Sequence, residues 1–143
     1  MIKVHGTSVN IDGKGLLFRG SPGSGKSDLA LRLIDGGATL ISDDYTEILV
    51  LQGSPVLRAP QTIQGKMEVR GIGLMEMPFV DNIPLRLIFD LVPFQQVERM
   101  PVAQFFTIEN VKIPVRLIDP YMASAAAKIR LAIGRDILET GYE

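Results

Sequence analysis

The run Gly20-Ser21-Pro22-Gly23-Ser24-Gly25-Lys26-Ser27 fits the spacing Gly-x-x-x-x-Gly-Lys-[Ser/Thr], and each fixed residue has a chemical reason to be there. Glycines let backbone N–H groups turn inward onto phosphate oxygens. Lys26 brings a compact positive charge to the outer phosphates, and the Ser27 hydroxyl suits Mg²⁺. A helix that starts here aims its N-terminal partial charge at the same anion. The competing reading is a glycine turn that happens to precede a helix. The apolar run before the loop and the amphipathic run after it favour the phosphate reading. The implied ligand is ATP, or another nucleoside triphosphate, with Mg²⁺.

Asp43-Asp44 follows the next apolar run. In a right-handed strand–helix–strand unit, that second strand lies near the first and its C-terminal end faces the phosphates. Of two carboxylates there, one can hold Mg²⁺ and the other can take a proton from an attacking hydroxyl. An alternative is that Asp44 starts a turn which Asp43 caps. His5, the single histidine of the chain, reads as structural or simply exposed when taken alone. Asp28 either sits favourably at a helix N-terminus or supports the metal from behind Ser27. Glu68, Arg70, Arg99 and Arg116 read as ordinary surface residues until something groups them.

The elements that must position these residues are legible in the hydrophobic pattern. Residues 4–11 are rich in β-branched side chains and read as a strand, 12–15 as a turn, and 16–18 as a short buried strand. The result is a hairpin that feeds the glycine loop. Residues 26–35 read as a helix with an apolar face of Leu29, Ala30, Leu33 and Ile34, stopped by Gly36-Gly37. Residues 38–42 and 46–51 read as strands, and 52–54 as a turn. Residues 68–73 read as a strand or turn rim, 85–92 as an apolar strand, and 95–104 as an exposed loop. Residues 111–117 read as a last strand, placed at a sheet edge because of Pro114. Asp119-Pro120 reads as the cap and first position of a closing helix that runs on through 125–138, with Gly134 able to kink it or end it early. The fold class expected is therefore α/β: a mixed β-sheet carrying a P-loop, a phosphate-binding helix and a C-terminal helix.

The length of 143 residues suits one domain over 1–143. Hydrophobic residues make up 46% and charged residues 22%, enough for a core and too apolar for a disordered chain. The formal net charge of -1 gives no pull toward nucleic acid or an anionic membrane. The absence of cysteine excludes disulfide scaffolds, thiolate-bound zinc and thiol catalysis. No apolar run approaches a membrane span, and the N-terminus lacks the apolar centre of a signal peptide, so a cytoplasmic location is expected.

Taken together, Val4-His5-Gly6, the turn at 12–15, the Walker loop followed by an acidic residue, and Ile41-Ser42-Asp43-Asp44 resemble the catalytic domain of bacterial HPr kinase/phosphorylase. Glu68-Val69-Arg70-Gly71-Ile72-Gly73 looks like that family's Glu-Ile-Arg-Gly-x-Gly signature, independently of the Walker loop. Glu98-Arg99 is similar to an acidic-Arg pair in its flexible loop, and Pro114-Val115-Arg116 to its Pro-Val-Arg segment. The resemblance implies a kinase of a seryl hydroxyl on the phosphocarrier protein HPr, which also removes that phosphate by phosphorolysis to pyrophosphate. It implies that Asp43 is the general base, and the general acid of the reverse step. Asp44 and Ser27 become metal-site residues, His5 a neighbour of the phosphates, and Arg99 a contact for the protein substrate. It also implies a homo-oligomer, a hexamer by family habit, in a short form that carries the catalytic domain alone. Asp28 stands where the family has Glu, and Leu117-Ile118-Asp119-Pro120 replaces its Pro-Gly-Arg-Asn. Two other functions fit the Walker loop: a small-molecule kinase, and a nucleotide-sensing regulatory module without turnover.

Overall fold

The computed structural model describes residues 1–138. The chain opens with a hairpin of β1 (Ile2–Ile11) and β2 (Lys14–Arg19), paired antiparallel. Asp12 and Gly13, both at positive φ, turn it, and the Asn10 side chain accepts the Gly13 N–H at 2.8 Å. Helix α1 (Lys26–Asp35) follows the glycine loop and ends where Gly36 and Gly37 bond back to its last carbonyls. Next come β3 (Thr39–Ser42), β4 (Tyr45–Leu51) and β5 (Ser54–Arg58), then a separate small hairpin of β6 (Lys66–Val69) and β7 (Gly73–Glu76). The chain returns through β8 (Ile83–Leu91), β9 (Gln104–Ile108) and β10 (Val111–Ile118) to helix α2 (Ala125–Gly134).

Two strands, β1 and β8, organise the sheet. β2 pairs antiparallel with β1 and parallel with β8, and β8 pairs parallel with β10. The N-terminal half of β1 also pairs with β4, β4 with β5, and β5 with the start of β8. The path β1-β2-β8-β5-β4 therefore closes on itself, so those strands leave few open edges. β3 pairs with β1 rather than with β2, so β1 lies between the two strands that flank α1.

Period-two alternation sends neighbouring side chains to opposite faces. On β2, Leu16 and Phe18 join Leu29, Leu33 and Ile129 beneath the two helices, while Leu17 joins Ile41, Ile48, Leu57 and Ile113 on the other face. On β8, Leu87 and Phe89 face the helices and Ile88 faces away. Leu33 is fully buried, worth roughly 1.5–3 kcal/mol of transfer free energy.

The expected α/β mixed sheet with its two helices is what the chain adopts, and two local expectations are corrected. β10 is not an edge strand, because β9 flanks it on one side and β8 on the other. Its pairing with β8 begins only at Val115, so Pro114 sits where β9 is its one neighbour and an absent N–H is tolerated. Helix α2 starts at Ala125, not at Pro120: the Asp119 carboxylate accepts the Tyr121 N–H at 2.9 Å and makes a local turn instead of a cap. It ends at Gly134, so residues 135–138 lie beyond it; residues 139–143 fall outside the described residues.

Candidate active site

The glycine loop between β2 and α1 is shaped by residues that need left-handed backbone. Gly25 has φ +100, and a Cβ there would meet the Tyr121 hydroxyl at 3.2 Å and Pro120 at 3.3 Å. Backbone freedom and close approach thus both require glycine at that position. The Lys26 ammonium donates to the Gly20 carbonyl at 2.8 Å and to the Ser21 carbonyl at 3.0 Å. It is only 7% exposed, and this burial lowers its pKa from the ordinary 10.5. The charges of Asp44 and Asp43 act in the opposite direction.

Asp43 stands at the C-terminal end of β3 and is 6% exposed. Its Oδ1 accepts from the Ser27 hydroxyl at 2.6 Å and from the Thr7 hydroxyl at 3.1 Å, and its Oδ2 from the Glu68 N–H at 3.3 Å. Elements distant in sequence therefore converge on one carboxylate: β1, α1 and β6. Thr7 also accepts the Asp44 N–H at 3.3 Å.

Asp44 points elsewhere. Its φ is +68, and the Tyr45 N–H bonds back to the Asp43 carbonyl at 2.7 Å, a three-residue turn that is rare for a side-chain-bearing residue. The Asp44 carboxylate meets His5 Nε2 at 3.0 Å, and the His5 ring stacks on Tyr45 with centroids 4.9 Å apart. His5 is followed by Gly6, where a Cβ would lie 2.7 Å from the Phe18 carbonyl, so the His-Gly pair is fixed by the β1–β2 contact.

The structure therefore gathers Lys26, Ser27, Asp43, Asp44 and His5 around one end of the sheet. Asp28 is turned to Arg32 at 3.2 Å instead, on the exposed side of α1. Arg99 is exposed in the segment between Phe94–Gln96 and β9, with no hydrogen bond or ion pair among the described residues. Of the signature residues, Glu68 contributes its backbone to Asp43 while its side chain is exposed, and Arg70 is exposed. Thr7 and Tyr121 were not visible as site residues in the sequence. The usable signal for Thr7 was two adjacent polar residues, Thr7-Ser8, set between Gly6 and Val9 in β1; both are fully buried.

The fold is that of a mixed α/β protein with a glycine loop of Walker spacing between β2 and α1 and a buried carboxylate against the loop's serine. Residues 1–119 match the family model described as HPr Serine kinase C-terminal domain, and the chain belongs to that family. It is 34% identical over 145 residues to the HPr kinase/phosphorylase of Bordetella pertussis, covering 91% of this chain and 44% of the relative. It is 40% identical over 76 residues to the protein of the same name from Clostridium acetobutylicum, covering 53% of this chain and 25% of the relative. The chain thus spans less than half the length of these relatives. In fold it is similar to the Hpr(Ser) kinase/phosphatase from Coxiella burnetii, with a TM-score of 0.82 over 94% of this chain and 89% of that one, at 23% identity.

Proposed function

We propose that this chain binds ATP with Mg²⁺ at the Walker loop and transfers the γ-phosphoryl group to a seryl hydroxyl of the phosphocarrier protein HPr. The observation that carries this reading is the buried Asp43 carboxylate, bonded to Ser27 and adjoining Lys26. Loop N–H groups and Lys26 hold the outer phosphates. Asp43, oriented by Thr7 and Glu68, takes the proton of the attacking serine. In the reverse direction it returns that proton while inorganic phosphate accepts the phosphoryl group and leaves as pyrophosphate. His5 orients the Asp44 carboxylate.

The oxygen donors present fit Mg²⁺: the Ser27 hydroxyl and the Asp43 carboxylate that accepts from it are hard ligands of the type this ion takes. Ser27 and Asp44 would hold it, with Asp28 a neighbouring charge that keeps Arg32 as its partner. When bound, the ion supplies charge neutralisation on the transferred group. Arg99, in its exposed segment, would contact HPr or its phosphate. A homo-oligomer, hexameric by family habit, and a cytoplasmic location complete the proposal; among the described residues no helix is long and apolar enough to cross a membrane.

The test is transfer of labelled γ-phosphate from Mg·ATP to purified HPr. Label is expected on a serine, absent with Lys26→Ala. Asp43→Asn is expected to keep nucleotide binding and to lose transfer by about a hundredfold or more. Full transfer in that variant removes Asp43 from the role of base. ATP binding without label on HPr moves the function to another acceptor or to a sensor without turnover.

A further inference from the structure

Tyr121 is held at several points and yet is 71% exposed. The turn that carries it follows β10, where the Asp119 carboxylate accepts the Tyr121 N–H at 2.9 Å. Arg32 of α1 donates to the Pro120 carbonyl and also holds Asp28, which pins this turn against the start of the helix. From there the ring reaches the Walker loop. Its hydroxyl donates to the Gly23 carbonyl at 3.4 Å, and its hydroxyl oxygen and Cζ lie 3.2 and 3.4 Å from where a Gly25 Cβ would be. A ring so exposed gains little from burial, so packing does not account for its being tied down.

We propose that Tyr121 is the nucleoside platform of the Walker loop, its ring face stacking on the base of the bound nucleotide. The proposal rests on the reading of the loop as a triphosphate site. For transfer, the outer phosphate must face Asp43, which touches the loop at Ser27. The nucleoside end is left to the other side of the loop, where Tyr121 touches Gly23 and Gly25. His5 and Tyr45 stack on each other beside Asp44. Stacking uses a π-face that every base has, so the platform discriminates by face area and favours purine over pyrimidine nucleotides.

The experiment compares the affinity of the full chain for Mg·ATP, Mg·CTP and inorganic triphosphate, by calorimetry, across Tyr121→Phe, Tyr121→Leu and Tyr121→Ala. The unsubstituted protein is expected to bind ATP more tightly than CTP. Tyr121→Phe is expected to keep ATP affinity within about twofold. Leu, which keeps bulk against Gly25 without a π-face, and Ala are expected to lose about tenfold for ATP and nothing for triphosphate. Equal loss for ATP and triphosphate would reduce Tyr121 to a brace of the loop and overturn the proposal, as would unchanged ATP affinity in both variants. If the unsubstituted protein binds triphosphate but not ATP more tightly, the platform is overturned and the Walker reading stands. Binding of neither overturns both.

Discussion

Asp43 and Asp44 are consecutive, but the Asp43 carboxylate is buried among donors and the Asp44 side chain is 65% exposed. The turn centred on Asp44 at φ +68 separates them, sending one side chain to the loop and the other to His5. Aspartate tolerates that conformation better than most residues because its short polar side chain can hydrogen-bond locally. Lys26 shows the same use of local cost for chemistry. Burial lowers its pKa below the ordinary 10.5, so the ammonium is less stable here than in water. The sign for folding follows: the cost is present while Lys26 is protonated, at pH below its folded pKa, and is relieved as pH rises through that value. A bound triphosphate favours the ammonium, so the sign for binding is opposite. Triphosphate affinity is expected to hold at neutral pH and to fall as pH rises through the lowered pKa, starting below 10.5. Calorimetric titration of Mg·ATP between neutral pH and pH 10.5 measures this, with Lys26→Arg as reference because guanidinium stays charged over that window. An affinity flat with pH in the unsubstituted protein would remove Lys26 from the phosphates.

At the scale of elements, the small β6–β7 hairpin matters more than its exposure suggests. Its outer strand β7 is exposed throughout, but Met67 of β6 is 1% exposed and packs in the cluster under the helices. The next residue, Glu68, gives its N–H to Asp43. Anchor and donor are adjacent, so the position of the donor depends on the anchor. Met67→Ala is expected to cost about 2–5 kcal/mol in urea unfolding, with the midpoint falling and the slope unchanged. A loss below about 1 kcal/mol would show that the hairpin is held by something else. This hairpin is also where the sequence was least readable. Glycines at 71 and 73 with exposed Ile72, Leu74 and Met75 give no clean period, because the element is held at one residue and otherwise faces water. The hairpin of β1 and β2 and the bounds of α1 were legible, since local turn chemistry and a wide apolar face set them. Of the site, the loop and the acidic pair were legible because motif spacing is local. Thr7 and the Glu68 N–H were not, because their partner is 36 and 25 residues away. Pro114 misled because β10 pairs with β8 only from Val115 onward, which leaves the missing proline N–H without a partner to lose. Asp119-Pro120 misled because the Asp119 carboxylate closes a local turn on the Tyr121 N–H and so caps no helix.

On the scale of the whole molecule, β1 and β8 belong at once to the layer that carries the helices and to the strands that curl back through β4 and β5. Consecutive residues on β8 serve the two hydrophobic clusters, Leu87 and Phe89 one and Ile88 the other. Backbone shared in this way couples the clusters: loosening one side of a strand disturbs its ladder, and the ladder holds the opposite side. The single-domain reading of the chain then has a measurable consequence. Ile88 is fully buried in the cluster away from the helices, and its strand neighbours are Leu17 on β2 and Val115 on β10. Ile88→Ala is expected to cost about 2–5 kcal/mol, a large part of a typical domain's stability. If the molecule unfolds as one unit, hydrogen-exchange protection of α1 amides should fall by the same free energy as that of β4 amides, though α1 packs on the other cluster. Loss confined to β4 and β5, with α1 unchanged, would separate the curled strands from the helix-bearing layer as independent units. In that case the loop and Asp43 would also be coupled less tightly than their contacts imply, since β1 brings Thr7 to the carboxylate and β4 to the same strand.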